Sequence, residues 1–236
     1  MPPAIQSLLS VQSVILDFDS CLCGVESLDT LFAQAISKEH DREERIRAFA
    51  EITNLGMDGQ LSFSESLTQR LALLPDRPLP LAETIEIMRD ALSPSGMNFL
   101  RRIRPDCVHI VSSGFRELIA PALANNPRSR LHQDMPEIPI HANSLRLAAN
   151  GRMLGVAPDN PLLEVGGKAT LAARLKLPRP TLVIGDGRTD YEIVARGAAD
   201  YFCAYTEFVR RERVIPHATF VADNFDDIAR RIPQLF

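Results

Sequence analysis

The chain has 236 residues, 45% of them hydrophobic and 24% charged, with a formal net charge of −4. That length allows one large domain, or a core carrying a smaller insertion, and the composition is that of a globular protein rather than a disordered or fibrous one. The acidic balance and the lack of any basic run argue against a nucleic-acid partner, and no apolar stretch reaches membrane-spanning length.

The first residues, MPPAIQSLLSVQS, lack the basic start of a signal peptide. A short apolar run at 13–16 then reads as a buried strand and is followed by Asp17 and Asp19. Cys21 and Cys23 form a C-x-C, but Cys107 and Cys203 are isolated, so no zinc site is expected. Reduced thiols and a cytoplasmic protein are the expectation. From about 24 to 92 the pattern is helical and charged, which reads as a helical insertion placed after the first strand. SKEHDREERIRAFAEI within it is a solvated helix face.

Further short buried strands are expected at 108–112, 181–184, 201–204 and 219–222. Helices are expected at 115–124, 168–175 and 190–196. Strands alternating with helices indicate an α/β protein with a Rossmann-like parallel sheet. Asn150-Gly151 between two strand-like runs predicts a β-hairpin near 143–156. The domain reading is therefore a core of 1–23 with 93–236, and an inserted helical unit of 24–92.

Ligands of open parallel sheets bind beyond the carboxyl ends of the strands. There the sequence places Asp17 and Asp19, then Ser112 and Gly114 in SSGFR, then Asp186 and Asp190 in GDGRTD. Lys168, preceded by Gly166-Gly167, opens the helix before the third of these strands. Each residue alone has a plain reading: aspartates cap turns and helices, and lysines sit at surfaces. Gathered on one edge, the four acids would repel one another and raise each other's pKa. A hard divalent cation, Mg²⁺, relieves that conflict. Ser112, backbone amides near Gly114 and Lys168 suit phosphate oxygens. The set points to phosphoryl transfer with a carboxylate nucleophile.

DFDSC, VSSGF, GGK and GDGRTD, in this order, resemble the four motifs of the haloacid dehalogenase superfamily of phosphatases. Within it the chain is similar to the phosphoserine phosphatases, through Glu26 in GVESLD, through Met57, Phe63 and Arg70 in GMDGQLSFSESLTQRLALL, and through the hairpin as a flap. The resemblance implies the superfamily's core with a helical cap, and Mg²⁺-dependent hydrolysis of O-phosphoserine through an aspartyl phosphate. It implies Asp17 as nucleophile, Asp19 as acid and base, and Ser112 and Lys168 on the phosphoryl group. The metal would be held by Asp17, Asp19 and Asp186 with Asp190. Glu26, Met57, Phe63, Arg70, Ser113 and Gly114 would line the substrate site. Glu26 can pair an ammonium, and Arg70 can grip a carboxylate with two bonds.

The partner expected is thus a small phosphorylated amino acid, with the chain a monomer or homodimer. Departures from the family pattern are Cys21 for a threonine, Ser113 for a glycine, Val165 for a serine, and Arg188 after GDG. They leave open another small phosphomonoester, such as phosphothreonine, phosphohomoserine or a sugar phosphate, and transfer to an acceptor alcohol. A phospho-accepting signalling module without turnover is a different class. Such receiver domains are shorter, and their acid pair precedes the phosphorylated aspartate by two strands.

Overall fold

The computed structural model describes residues 8–57, 60–124 and 137–236. β1 (Ser13–Leu16) is buried at every position. Four helices follow it: α1 (Ser27–Ala35), α2 (Arg42–Met57), α3 (Phe63–Ala72) and α4 (Leu81–Asp90). The chain then runs through α5 (Pro94–Arg102), β2 (Val108–Phe115), α6 (Arg116–Ala124) and β3 (Ile140–Asn143). A hairpin of β4 (Leu145–Leu147) and β5 (Met153–Val156) comes next. The remainder is α7 (Gly167–Leu175), β6 (Thr181–Gly185), α8 (Arg188–Ala195), β7 (Tyr201–Tyr205), β8 (Phe220–Ala222) and α9 (Phe225–Arg231).

Six strands form one sheet in the order β3-β2-β1-β6-β7-β8, and every neighbouring pair is parallel. Side chains alternate across the sheet. Val14 and Leu16 join the core built with α5, α6 and α9, while Ile15 packs with Ala169 and Ala172 of α7 and Ile193 of α8. Covering both faces explains why β1 and β6 are apolar beyond their first residues, Ser13 and Thr181, whose hydroxyls bond each other. Each aliphatic side chain so buried contributes about 1.5–3 kcal/mol.

The helical insertion leaves and rejoins the core at one place. Gly24 N donates to Ala91 O at 2.8 Å, and Ser93 N donates to Leu22 O at 2.9 Å. Within the insertion, Phe49 of α2 stacks on Phe32 of α1 with ring centroids 4.2 Å apart. α3 begins with a capping box, Ser62 and Glu65 each bonding the other's backbone N–H.

Two elements differ from the sequence reading. The strand expected at 108–112 continues to Phe115, which pairs with Asn143 beyond a register shift. SSGF is therefore bulged strand, and the helix starts at Arg116. β3 is not among the expected strands: only its last residue, Asn143, falls in the hairpin region of 143–156, and the strand joins the main sheet beside β2. It is short, alternates apolar and polar residues (IHAN) and lies at the edge, so it lacks the apolar run of a central strand. The turn at Asn150-Gly151 forms as expected, with Gly151 at φ +81°.

Candidate active site

Leu16 stands in register with both Ile110 and Ile184. Residues just past these positions therefore share one edge of the sheet: Asp17, Ser112 and Asp186. Asp17 N still donates to Ile184 O at 2.9 Å. The chain then turns tightly, with Phe18 O accepting from the N–H groups of Leu22 and Cys23, both at 2.9 Å. Phe18 is fully buried, so it anchors the turn while the flanking acids remain at the edge.

Lys168, from the first turn of α7, reaches into this edge. Its Nζ lies 2.7 Å from Asp17 Oδ1 and 2.8 Å from Asp190 Oδ1. Gly187 N donates to the other oxygen of Asp190 at 3.0 Å, so Asp190 caps α8 and binds lysine at once. A side chain at Gly185 has no room here, because its Cβ would stand 2.3 Å from Asp190 Cγ. Asp186 is bound from the other side by Arg211, Nε to Oδ2 at 2.7 Å.

Asp19 sits on the opposite flank. Ser27 donates to it twice, N to Oδ1 at 3.0 Å and Oγ to Oδ2 at 2.9 Å, so the carboxylate meets the N-terminus of α1. Gly114 closes the other wall. A Cβ there would lie 2.7 Å from Ser27 Oγ and 3.0 Å from Asp19 Oδ2. Ser112 Oγ accepts from Gly114 N at 3.0 Å, which shapes the bulged strand end.

The charges are unbalanced. Asp17, Asp186 and Asp190 bring ligand oxygens within 4.8 Å of one another, and Lys168 and Arg211 are the cations that pair with them among the described residues. Burial first, then the Asp190 charge, holds Asp17 well above the usual carboxylate range against the pull of Lys168. Burial and Asp190 push Asp186 up to about 6, with Arg211 opposing. Burial and the nearby Glu26 raise Asp19 to about 7, with the Ser27 hydrogen bonds opposing. Burial works against the Lys168 charge, but Asp17 and Asp190 outweigh it and raise its pKa above the ordinary value. An all-oxygen donor set with surplus negative charge fits a hard divalent cation.

The remaining expected residues are less tightly gathered. Glu26 is exposed and accepts from Ser20 Oγ at 2.7 Å. Arg70 is half-buried over the Phe49 ring, 5.7 Å from its centroid. Partial burial lowers its pKa, opposed by Asp29 and Glu26. Phe63 opens α3 and packs partly buried against the core. Met57 ends α2, and its side chain lies outside the described residues. Ser113 contributes backbone: its carbonyl accepts from Asn143 Nδ2 at 2.8 Å.

Of the departures, Arg188 points to solvent, 85% exposed, and pairs with Glu192 at 3.2 Å. Val165 is exposed too. Cys21 is buried beneath the turn, its thiol 3.8 Å from Ile184 O, and burial with the surrounding acids pushes it well above the usual thiol range.

Three contributors were not read from the sequence. Ser27 had a signal, as a serine opening the first helix after the acids. Ser20 occupies a left-handed conformation at φ 54° and holds Glu26. Arg211 lies in EFVRRERV, where nothing local separates one arginine from another.

No family model matches the chain. It is 30% identical over 226 residues to the chloroplastic phosphoserine phosphatase of Arabidopsis thaliana, covering 93% of this chain and 71% of that one. It is 28% identical over 230 residues to the phosphoserine phosphatase of Homo sapiens, covering 95% of each. A crystal structure of a phosphoserine phosphohydrolase-like protein from Francisella tularensis superposes with a TM-score of 0.73 at 27% identity, over 92% of this chain and 98% of that one.

Proposed function

The chain belongs to the phosphoserine phosphatase family and is a phosphomonoester hydrolase, and from that premise we propose that it hydrolyses O-phosphoserine to serine and phosphate with Asp17 as nucleophile. The observation that carries the reading is the contrast between the two acids of DFD. Burial raises the pKa of both, but their partners differ. Asp17 is bound by the Lys168 ammonium at 2.7 Å, which favours its ionised form, whereas Asp19 has no ion pair among the described residues and faces the Ser27 N–H and hydroxyl at the N-terminus of α1. One group is suited to attack and the other to carry a proton.

In this reading Asp17 attacks phosphorus in line, its bond to phosphorus forming as the bond to the serine oxygen breaks. Asp19 gives its proton to the leaving alkoxide. It then takes a proton from the water that attacks the aspartyl phosphate. Ser112 Oγ and the Lys168 ammonium face the phosphoryl oxygens and offset their charge. Asp17, the Asp19 backbone carbonyl and Asp186, with Asp190 in support, would hold a Mg²⁺ ion, which supplies charge neutralisation to the phosphoryl group. Glu26 takes the substrate ammonium and Arg70 its carboxylate, and the helical insertion of 24–92 serves as the cap that covers them. The protein is then a cytoplasmic enzyme of serine biosynthesis acting on a small metabolite. No helix among the described residues is long and apolar enough to cross a membrane.

The test is phosphate release across a panel of phosphoserine, phosphothreonine, phosphohomoserine and sugar phosphates with Mg²⁺. Phosphoserine is expected to lead, and Arg70→Ala is expected to erode that preference at least tenfold, about 1.4 kcal/mol. A sugar phosphate in first place, with Arg70→Ala silent, rejects the substrate assignment.

A further inference from the structure

Arg211 is delivered to the acidic site by a loop that is itself fixed. Glu207 accepts hydrogen bonds from Tyr205 Oη and from Ser93 Oγ, the latter at 2.7 Å. The Phe208 ring lies 2.8 Å from the position a Cβ on Gly24 would take. Gly24 and Ser93 are the residues at which the chain enters and leaves the helical insertion. Arg211 then reaches back, Nε to Asp186 Oδ2 at 2.7 Å, with its side chain 29% exposed and that of Asp186 5%. A surface arginine on a mobile loop has no such constraints.

Lys168 serves Asp17 and Asp190. Among the described residues, the ion pair made by Asp186 is with Arg211. Whatever binds the three carboxylates together must therefore share Asp186 with a guanidinium. A positive charge held this close to a buried site repels an incoming dication, and burial limits the screening of that repulsion.

We propose that Arg211 is a resident counter-cation of Asp186, one that weakens divalent-metal binding at the acidic triad and stabilises the protein when no metal is bound. The inference rests on the reading that this triad takes a divalent cation. The opposite role, a partner that orients Asp186 for the metal, predicts the opposite sign.

The test measures Mg²⁺ affinity by calorimetry without substrate, for wild type, Arg211→Gln and Arg211→Lys. The same proteins are melted in EDTA and in saturating Mg²⁺. Arg211→Gln keeps a hydrogen-bonding side chain and removes the charge. It is expected to bind Mg²⁺ at least fivefold tighter, to melt lower than wild type in EDTA, and to recover in Mg²⁺. Arg211→Lys is expected to stay near wild type. Chelator competition starting from Mg²⁺-loaded protein reads the same constants if Arg211→Gln does not fold in EDTA. Equal or weaker Mg²⁺ binding by Arg211→Gln overturns the inference alone. A wild type that binds no divalent cation overturns it together with the metal part of the proposed function.

Discussion

Gly114 shows how little space separates the groups of the site. Its missing side chain lets the bulged end of β2 approach Ser27 and Asp19, and a methyl group there would meet Ser27 Oγ at 2.7 Å and Asp19 Oδ2 at 3.0 Å. Overpacking of this kind costs about 1–3 kcal/mol. Here it falls on the residue assigned to move the proton. Gly114→Ala is therefore expected to lower kcat roughly 10- to 100-fold and to lower the melting temperature by about 2–4 °C for each kcal/mol of overpacking. Steady-state kinetics beside a thermal melt checks this, and an unchanged kcat contradicts the packing described. The acids themselves were legible in the sequence because each follows a strand whose apolar run is clear. Ser20 and Arg211 were not, because one acts through a backbone conformation and the other through a long side chain from a loop of similar arginines.

Among the elements, α2 was the hardest to place from its composition. Its charged run reads as a solvated face, yet Phe49 is buried and stacks on Phe32. Phe49 also lies beneath the Arg70 guanidinium. The one ring thus ties α1 and α2 together and supports a residue assigned to the substrate carboxylate. Phe49→Ala is expected to cost about 3–5 kcal/mol of stability, read by urea denaturation, and to raise KM for phosphoserine more than it lowers kcat. A loss below about 1 kcal/mol would mean that the ring is not part of the packed core. β1 and β6 were legible because burial on both faces gives each a run of three consecutive apolar residues, 14–16 and 182–184. β3 was missed because its four residues alternate apolar Ile140 and Ala142, which pack against the core, with His141 and Asn143, so IHAN gave no apolar run to count.

For the whole molecule, the acids gathered at the sheet edge link stability to pH. Asp19 and Asp186 have folded-state pKa values raised to about 7 and about 6, above the ordinary value near 4. The folded state therefore holds these protons more tightly than the unfolded chain. Their contribution is fully present below about pH 4 and is lost as pH rises towards 7. His109 and His141, lowered by partial burial and by a nearby histidine or arginine, act in the opposite sense. A comparison with Asp19→Asn cancels that opposing slope. In EDTA, Asp19→Asn is expected to gain stability over wild type steadily between about pH 5 and pH 7.5. A difference that stays flat across that window would show that Asp19 titrates normally.

The most direct measurement concerns where the phosphoryl group rests. Wild type is mixed with phosphoserine and Mg²⁺, quenched in acid within a single turnover, digested and read by mass spectrometry. Asp17 as nucleophile requires an alkali-labile phosphoryl group on the peptide that carries Asp17, absent from Asp17→Asn, which also releases no phosphate. A phosphoryl group found on another residue, or phosphate release sustained by Asp17→Asn, contradicts the mechanism at its first step.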